Sequence, residues 1–136
     1  MASPDEFLFE YAVIRYVPRI DREEFVNIGL LMMCKRQRWF YSKIELNEAR
    51  LKIFDPYINL NKLANQAQMF ENSEVPFKDS PVEERYRWFT AVKNAMLQVS
   101  PSHPGLVADA MANTKEEAVE ILNKEFNRLF KELIRI

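Results

Sequence analysis

The sequence predicts an α+β fold: a small antiparallel sheet, built as an N-terminal three-strand meander, packed by three or four C-terminal helices. Three observations carry this. Residues 9–46 hold three runs rich in aromatic, β-branched and other apolar residues, separated by short polar connections that leave no room for a crossover helix. From about residue 47 onward the apolar residues recur every three or four positions. Two segments of that second half open with a hydroxyl residue followed three positions later by Glu, a helix-start signature.

Phe9 to Val17 (FEYAVIRYV) reads as the first strand, ended by Pro18. Pro18 to Glu24 is a charged loop. Phe25 to Cys34 (FVNIGLLMMC) is a second strand, apolar on both faces as expected for one covered from both sides or central in the sheet. Lys35 to Arg38 is a basic turn, and Trp39 to Leu46 a third strand. Asn47 to Phe54 is ambiguous and is assigned to a short helix capped by Asn47, with Pro56 as its interruption. Leu60 to Glu71 is helical, with Leu60, Leu63, Ala64, Ala67 and Phe70 on one face. Asn72 to Ser80 is the most linker-like stretch. Ser80 as cap, Pro81 at the first helical position and Glu83 as the reciprocal partner open a helix. Its stripe runs Val82, Tyr86, Phe89, Val92, Met96 and Val99, to a stop at Pro101. Gly105 to Asp109 is open between a short fourth strand and a loop. Thr114 and Glu117 open the last helix, whose stripe includes Leu122, Phe126, Leu129 and Phe130.

Composition bounds the function. The 136 residues are 48% hydrophobic and 29% charged, without repeats or low-complexity tracts, so one folded domain is expected over 1–136. Nineteen basic against twenty acidic residues argue against a protein held to nucleic acid by bulk charge. One Cys and one His exclude a disulfide framework and a Cys/His metal cluster within one chain. Two glycines exclude glycine-rich phosphate loops, and no cofactor or metal is expected. The start MASPDEFLFEY lacks the basic residues of a signal peptide, and the longest apolar run, Ile28–Cys34, is too short to span a bilayer. A cytoplasmic location away from membranes is the expectation, and a lone thiol suits a reducing compartment.

The richest polar constellation lies on the first hairpin. With Val17 opposite Phe25, Arg15 meets Asn27, Val13 meets Gly29 and Tyr11 meets Leu31. An arginine inside an apolar strand needs partners for its guanidinium; Glu24, before Asp21, is the expected carboxylate, with Asn27 beside it. Arg15, Arg19, Arg22, Glu24, Asn27 and Tyr11 therefore form either an anion site or a structural cluster pinning the loop to the sheet. The structural alternative is favoured, because ion-pair networks converge much as sites do. Other motifs have plainer explanations. Glu83 and Glu117 serve helix N-termini. His103, between two prolines, is an exposed loop residue without a nucleophile elbow nearby. Cys34 is a small core hydrophobe. The run Lys35-Arg36-Gln37-Arg38-Trp39-Phe40-Tyr41 interleaves charge with aromatics, but near-neutral overall charge favours a solvated turn followed by core rings.

Tyr11, Arg15, Tyr16, Pro18, Arg22, Glu24, Asn27 and Gly29, spaced Y-x3-R-Y-x-P-x3-R-x-E-x2-N-x-G, resemble the signature of a bacterial family of uncharacterised proteins, the domain-of-unknown-function family numbered 3037. The strong match covers the first quarter of the chain; the remainder is similar in plan. The resemblance carries no established activity. It implies a partner role, since members of such a family are sometimes encoded beside proteins resembling HipA-type kinases.

Two functional classes follow. The first is a non-catalytic protein-interaction module, partner of a HipA-like kinase or self-associating, which suits the absence of a catalytic motif and the 12% aromatic content. The second is a binding protein or enzyme for a small phosphate or carboxylate, using the Arg/Glu/Asn cluster. A deep pocket walled by Arg15 favours the second; a filled core around Arg15 favours the first.

Overall fold

A computed structural model of the chain describes residues 6–71, 79–91 and 96–135. In chain order the elements are β1 (Leu8–Tyr16), a single 3-10 turn (Ile20–Arg22), β2 (Val26–Cys34), β3 (Trp39–Ile44), α1 (Glu48–Phe54), α2 (Leu60–Glu71), α3 (Val82–Thr90), β4 (Leu97–Val99), β5 (His103–Leu106) and α4 (Lys115–Leu133). The sheet is antiparallel in the order β3-β2-β1-β4, and β5 also pairs with β1. The expected α+β architecture and the β1-β2-β3 meander are both present.

The apolar character of β2 on both faces has a direct structural cause. β2 lies between β1 and β3 and is covered above and below. On one face Ile28, Leu31 and Met33 join Ala12 and Ile14 of β1 and pack with Leu51, Leu63, Phe70, Tyr86 and Phe89 from α1, α2 and α3. On the other, Leu30, Met32 and Cys34 join Val13 and Trp39 and pack with Leu122, Phe126 and Phe130 of α4. Each fully buried Leu, Ile or Phe contributes about 1.5–3 kcal/mol relative to exposure. The two apolar layers therefore fix the sheet between α1–α3 and α4.

The capping expectations divide. Asn47 accepts from the Arg50 amide (3.1 Å), and Thr114 Oγ1 accepts from the Glu117 amide (3.1 Å), so α1 and α4 start as read from sequence. The reciprocal Glu117 carboxylate accepts from the Asn113 amide (2.7 Å). Ser80 does not cap α3. The cap position is Pro81, whose carbonyl accepts from Glu84 and Arg85 without a side-chain bond.

Two further expectations are corrected. The helix expected from Val82 to Val99 ends at Thr90, and Leu97–Val99 is instead strand β4, opposite Ile14–Tyr16. Leu97 and Val99 alternate inward from an edge of the sheet, and pairing with β1 overrides a helical stripe that the same residues also satisfy. Val92 lies outside the described residues, as does most of the stretch 72–80. The β1/β2 register agrees at Arg15↔Asn27 but shifts between Ile14 and Arg15: Ile14 faces Gly29, Val13 faces Leu30 and Tyr11 faces Met32. Ile28 is the extra residue, a β-bulge that the uniformly apolar run conceals. The segment left open near Gly105 forms β5, beginning at His103.

Candidate functional site

The loop between β1 and β2 is shaped by its own charges. Arg19 Nε and Nη2 bind the Asp21 carboxylate (3.1 and 2.5 Å), and Arg22 Nε binds Glu24 Oε1 (2.5 Å). Glu23 sits at φ 56°, the left-handed turn that closes the 3-10 segment, with its amide on the Ile20 carbonyl. Both ion pairs are exposed and screened by solvent, so they contribute little to stability. They do, however, cancel the loop's two arginine charges locally.

Arg15 is not part of that network. Its guanidinium lies over the Phe25 ring, 4.1 Å from the centroid, rather than on the expected Glu24 or Asp21 carboxylate. Loss of hydration lowers its pKa, and its Nε is a buried donor without an acceptor. Opposite it, Asn27 Nδ2 donates to the Leu133 carbonyl at the end of α4 (3.1 Å), leaving Oδ1 buried without a donor. Two neighbours complete this fastening of the chain end. Arg50 Nη1 donates to the Ile134 carbonyl (3.0 Å), and Arg135 forms a two-point ion pair with Glu45 (2.8 and 2.9 Å). Asn27 thus helps satisfy carbonyls that every helix C-terminus leaves open. Sequence reasoning missed Arg50 and Glu45; no pattern in the chain links them to a terminus some ninety positions away.

The remaining signature residues converge elsewhere. Pro18, Arg19, Arg22 and Glu24 form one wall of a cleft of about 330 Å³, and Phe54, Asp55 and Pro56 form the other. Beside it the buried Tyr16 hydroxyl donates to Asp55 Oδ2 (2.6 Å), while Asp55 Oδ1 accepts from the Tyr57 amide (3.2 Å). Burial, then the Asp55 hydrogen bond and charge, raises the Tyr16 phenol well above its ordinary value. Asp55 went unrecognised in the sequence. The available signal was Tyr16 itself, a phenol on an inward-facing strand position that needs a buried partner.

The structure therefore separates the predicted set. Arg19, Arg22 and Glu24 stand together at the cleft; Arg15 lies over Phe25 and Asn27 reaches the end of α4; Tyr11 is farther along β1, its ring tilted against His103 (centroids 5.3 Å apart). Arg15 is in the walls of none of the three described clefts. His103 is exposed but belongs to β5 rather than to a loop. The basic turn borders a broader cleft where Arg36, Arg38 and Lys115 meet Glu6 and Thr114, with the Lys115 ammonium on the Gln37 carbonyl. Among the described residues no group of three or more His, Cys, Asp or Glu could hold a metal ion, and no helix is long and apolar enough to cross a membrane.

Comparison with the curated proteins gives no match, and comparison with the solved structures gives none either. A protein family does match: the one described as Protein of unknown function (DUF3037), over residues 11–134. That span holds the whole hairpin signature, the Asp55 cleft and the fastened end of α4, and the chain belongs to this family.

Proposed function

We infer that the chain works as one α+β domain whose role is non-catalytic protein interaction, with the docking face at the cleft between the 18–24 loop and the 54–56 turn. The observation that carries this is the exposure of large apolar side chains on the segments forming the two walls. Ile20 of the loop is 62% exposed, and Ile53 and Tyr57, which flank the 54–56 turn in the chain, are 84% and 94% exposed. Exposed tyrosine and isoleucine on the segments that carry a cleft lined by two arginines suit a binding surface. A HipA-like kinase is the partner class that the family resemblance implies, with a second copy of the chain as the other. The reading takes the protein to work in the bacterial cytoplasm.

The small-anion alternative loses its support from geometry. Arg15, Arg19 and Arg22 do not gather around one point: the first stacks on Phe25, and the others are neutralised by Asp21 and Glu24.

Affinity capture from the native cell with quantitative mass spectrometry tests the interaction reading. Wild type is compared with Ile53→Ser/Tyr57→Ser and with Met111→Ser, a control at another exposed apolar position (72%). A partner retained by wild type and the control but lost by the double variant is the expected result. Equal capture by all three refutes the assigned face.

A further inference from the structure

We propose that the Asp55 cleft receives an arginine side chain from the partner, so that recognition centres on a guanidinium–carboxylate pair. The inference rests on the interaction reading above and adds the chemistry of the ligand.

Charge is the first ground. Four ionisable side chains line the cleft: Arg19, Arg22, Glu24 and Asp55. Arg22 is held by Glu24, and Arg19 by Asp21 of the same loop. Asp55 differs. Its two oxygens accept from neutral donors, the Tyr16 hydroxyl and the Tyr57 amide, and among the described residues no cation pairs with it. With the two loop pairs cancelled, one negative charge is left at the cleft. Asp55 is also the C-cap of α1, where the last helical carbonyls add partial negative charge within a turn. A cation is the complement of both.

Geometry selects arginine among cations. Tyr16 and Tyr57 hold the Asp55 carboxylate from two sides, and a fixed carboxylate suits the planar guanidinium fork, which bonds it at two points. Tyr57 and Ile53, two positions to either side of Asp55 in the chain, are both exposed. An aromatic face and an aliphatic side chain match a guanidinium plane and its methylene stem. At about 330 Å³ the cleft is at the small end of ligand sites, large enough for one long side chain. The self-paired arginines act against acidic partners as well. A carboxylate or phosphate ligand has to displace Asp21 or Glu24 and then lies beside the unpaired Asp55 charge.

The test is an NMR titration of isotope-labelled full-length chain with N-acetyl-arginine amide, with N-acetyl-glutamate and inorganic phosphate as separate probes. Expected is a saturable shift of the Asp55, Tyr57 and Arg22 amide signals by the arginine probe, with a dissociation constant on the order of millimolar. Asp55→Asn keeps an acceptor for Tyr16 and removes the charge, and should weaken binding at least about tenfold. Saturable shifts of these amides by glutamate or phosphate but not by arginine amide overturn the proposal, as does unchanged arginine binding by Asp55→Asn. Absence of a saturable shift with any probe overturns it too. If the Ile53/Tyr57 variant still loses the captured partner in that case, the interaction reading stands and the arginine assignment alone falls.

Discussion

Substitution of Gly29 by alanine should destabilise the fold through backbone crowding alone. Gly29 lies in β2 opposite Ile44 of β3 and Ile14 of β1. A Cβ there would stand 2.6 Å from Ile44 Cδ1, 2.7 Å from the Lys43 carbonyl oxygen and 3.0 Å from Ile14 Cδ1. The two isoleucine tips can turn aside. The Lys43 carbonyl cannot, so β3 has to retreat by several tenths of an ångström. That retreat also strains the neighbouring Glu45 amide bond to the Ile28 carbonyl (2.8 Å). Overpacking of this kind typically costs about 1–3 kcal/mol. Taking about 2 kcal/mol, and about 3–4 °C per kcal/mol for a chain of this length, Tm falls by about 6–8 °C. Reversible thermal and urea unfolding measure it, with a lower urea midpoint at unchanged slope. A Gly29→Ala protein melting within about 1 °C of wild type would refute the crowding argument.

Arg15→Ala should cost about 1–2 kcal/mol in urea unfolding, the scale of a partly desolvated cation–π contact, and not the about 3–5 kcal/mol expected when a buried ion pair is broken. Arg15→Lys should recover part of that loss; a loss above about 3 kcal/mol for Arg15→Ala would point to a carboxylate partner. Thr114→Ala should cost about 1 kcal/mol through loss of the α4 cap, and no measurable change would remove Thr114 from that role. Burial raises the phenols of Tyr16 and Tyr86 above their ordinary 10.0, so the folded chain holds protons that the unfolded chain releases. Stability should therefore be unaffected by these groups below pH 10.0 and fall as pH rises beyond it, less steeply in Tyr86→Phe; an unchanged alkaline slope would refute this linkage.

The hairpin, both covered faces of β2 and the Asn47 and Thr114 caps were legible because each rests on local chemistry: strand composition, apolar continuity and a side-chain acceptor at a helix start. The bulge at Ile28 was not, because Ile28 to Cys34 is apolar throughout, and a slip of one residue leaves no mark in such a pattern. The end of α3 was hidden for a related reason. Met96 and Val99 continue the helical spacing, yet Leu97 and Val99 also alternate as a strand, and only β1 decides between the two. At the candidate site the sequence supplied Arg19, Arg22 and Glu24 but not Asp55. Long-range pairing of Tyr16 with Asp55, 39 positions away, is a tertiary fact without local periodicity. Arg15 was correctly placed opposite Asn27, but its partner was expected among carboxylates that the loop arginines occupy.

Arg15, Asn27 and Gly29 of the hairpin hold the fold, whereas Ile53, Asp55 and Tyr57 belong to the proposed docking face. A library of single substitutions at Arg15, Asn27, Gly29, Ile53, Asp55 and Tyr57, read for both cellular abundance and retention of the captured partner, tests this division most directly. Changes at Arg15, Asn27 and Gly29 should lower abundance and reduce capture only in proportion. Changes at Ile53 and Tyr57, and Asp55→Asn, which keeps an acceptor for the buried Tyr16 hydroxyl, leave abundance intact and abolish capture. Substitutions at Ile53, Asp55 and Tyr57 that leave capture intact, or changes at Arg15 and Asn27 that abolish it at full abundance, would contradict the account.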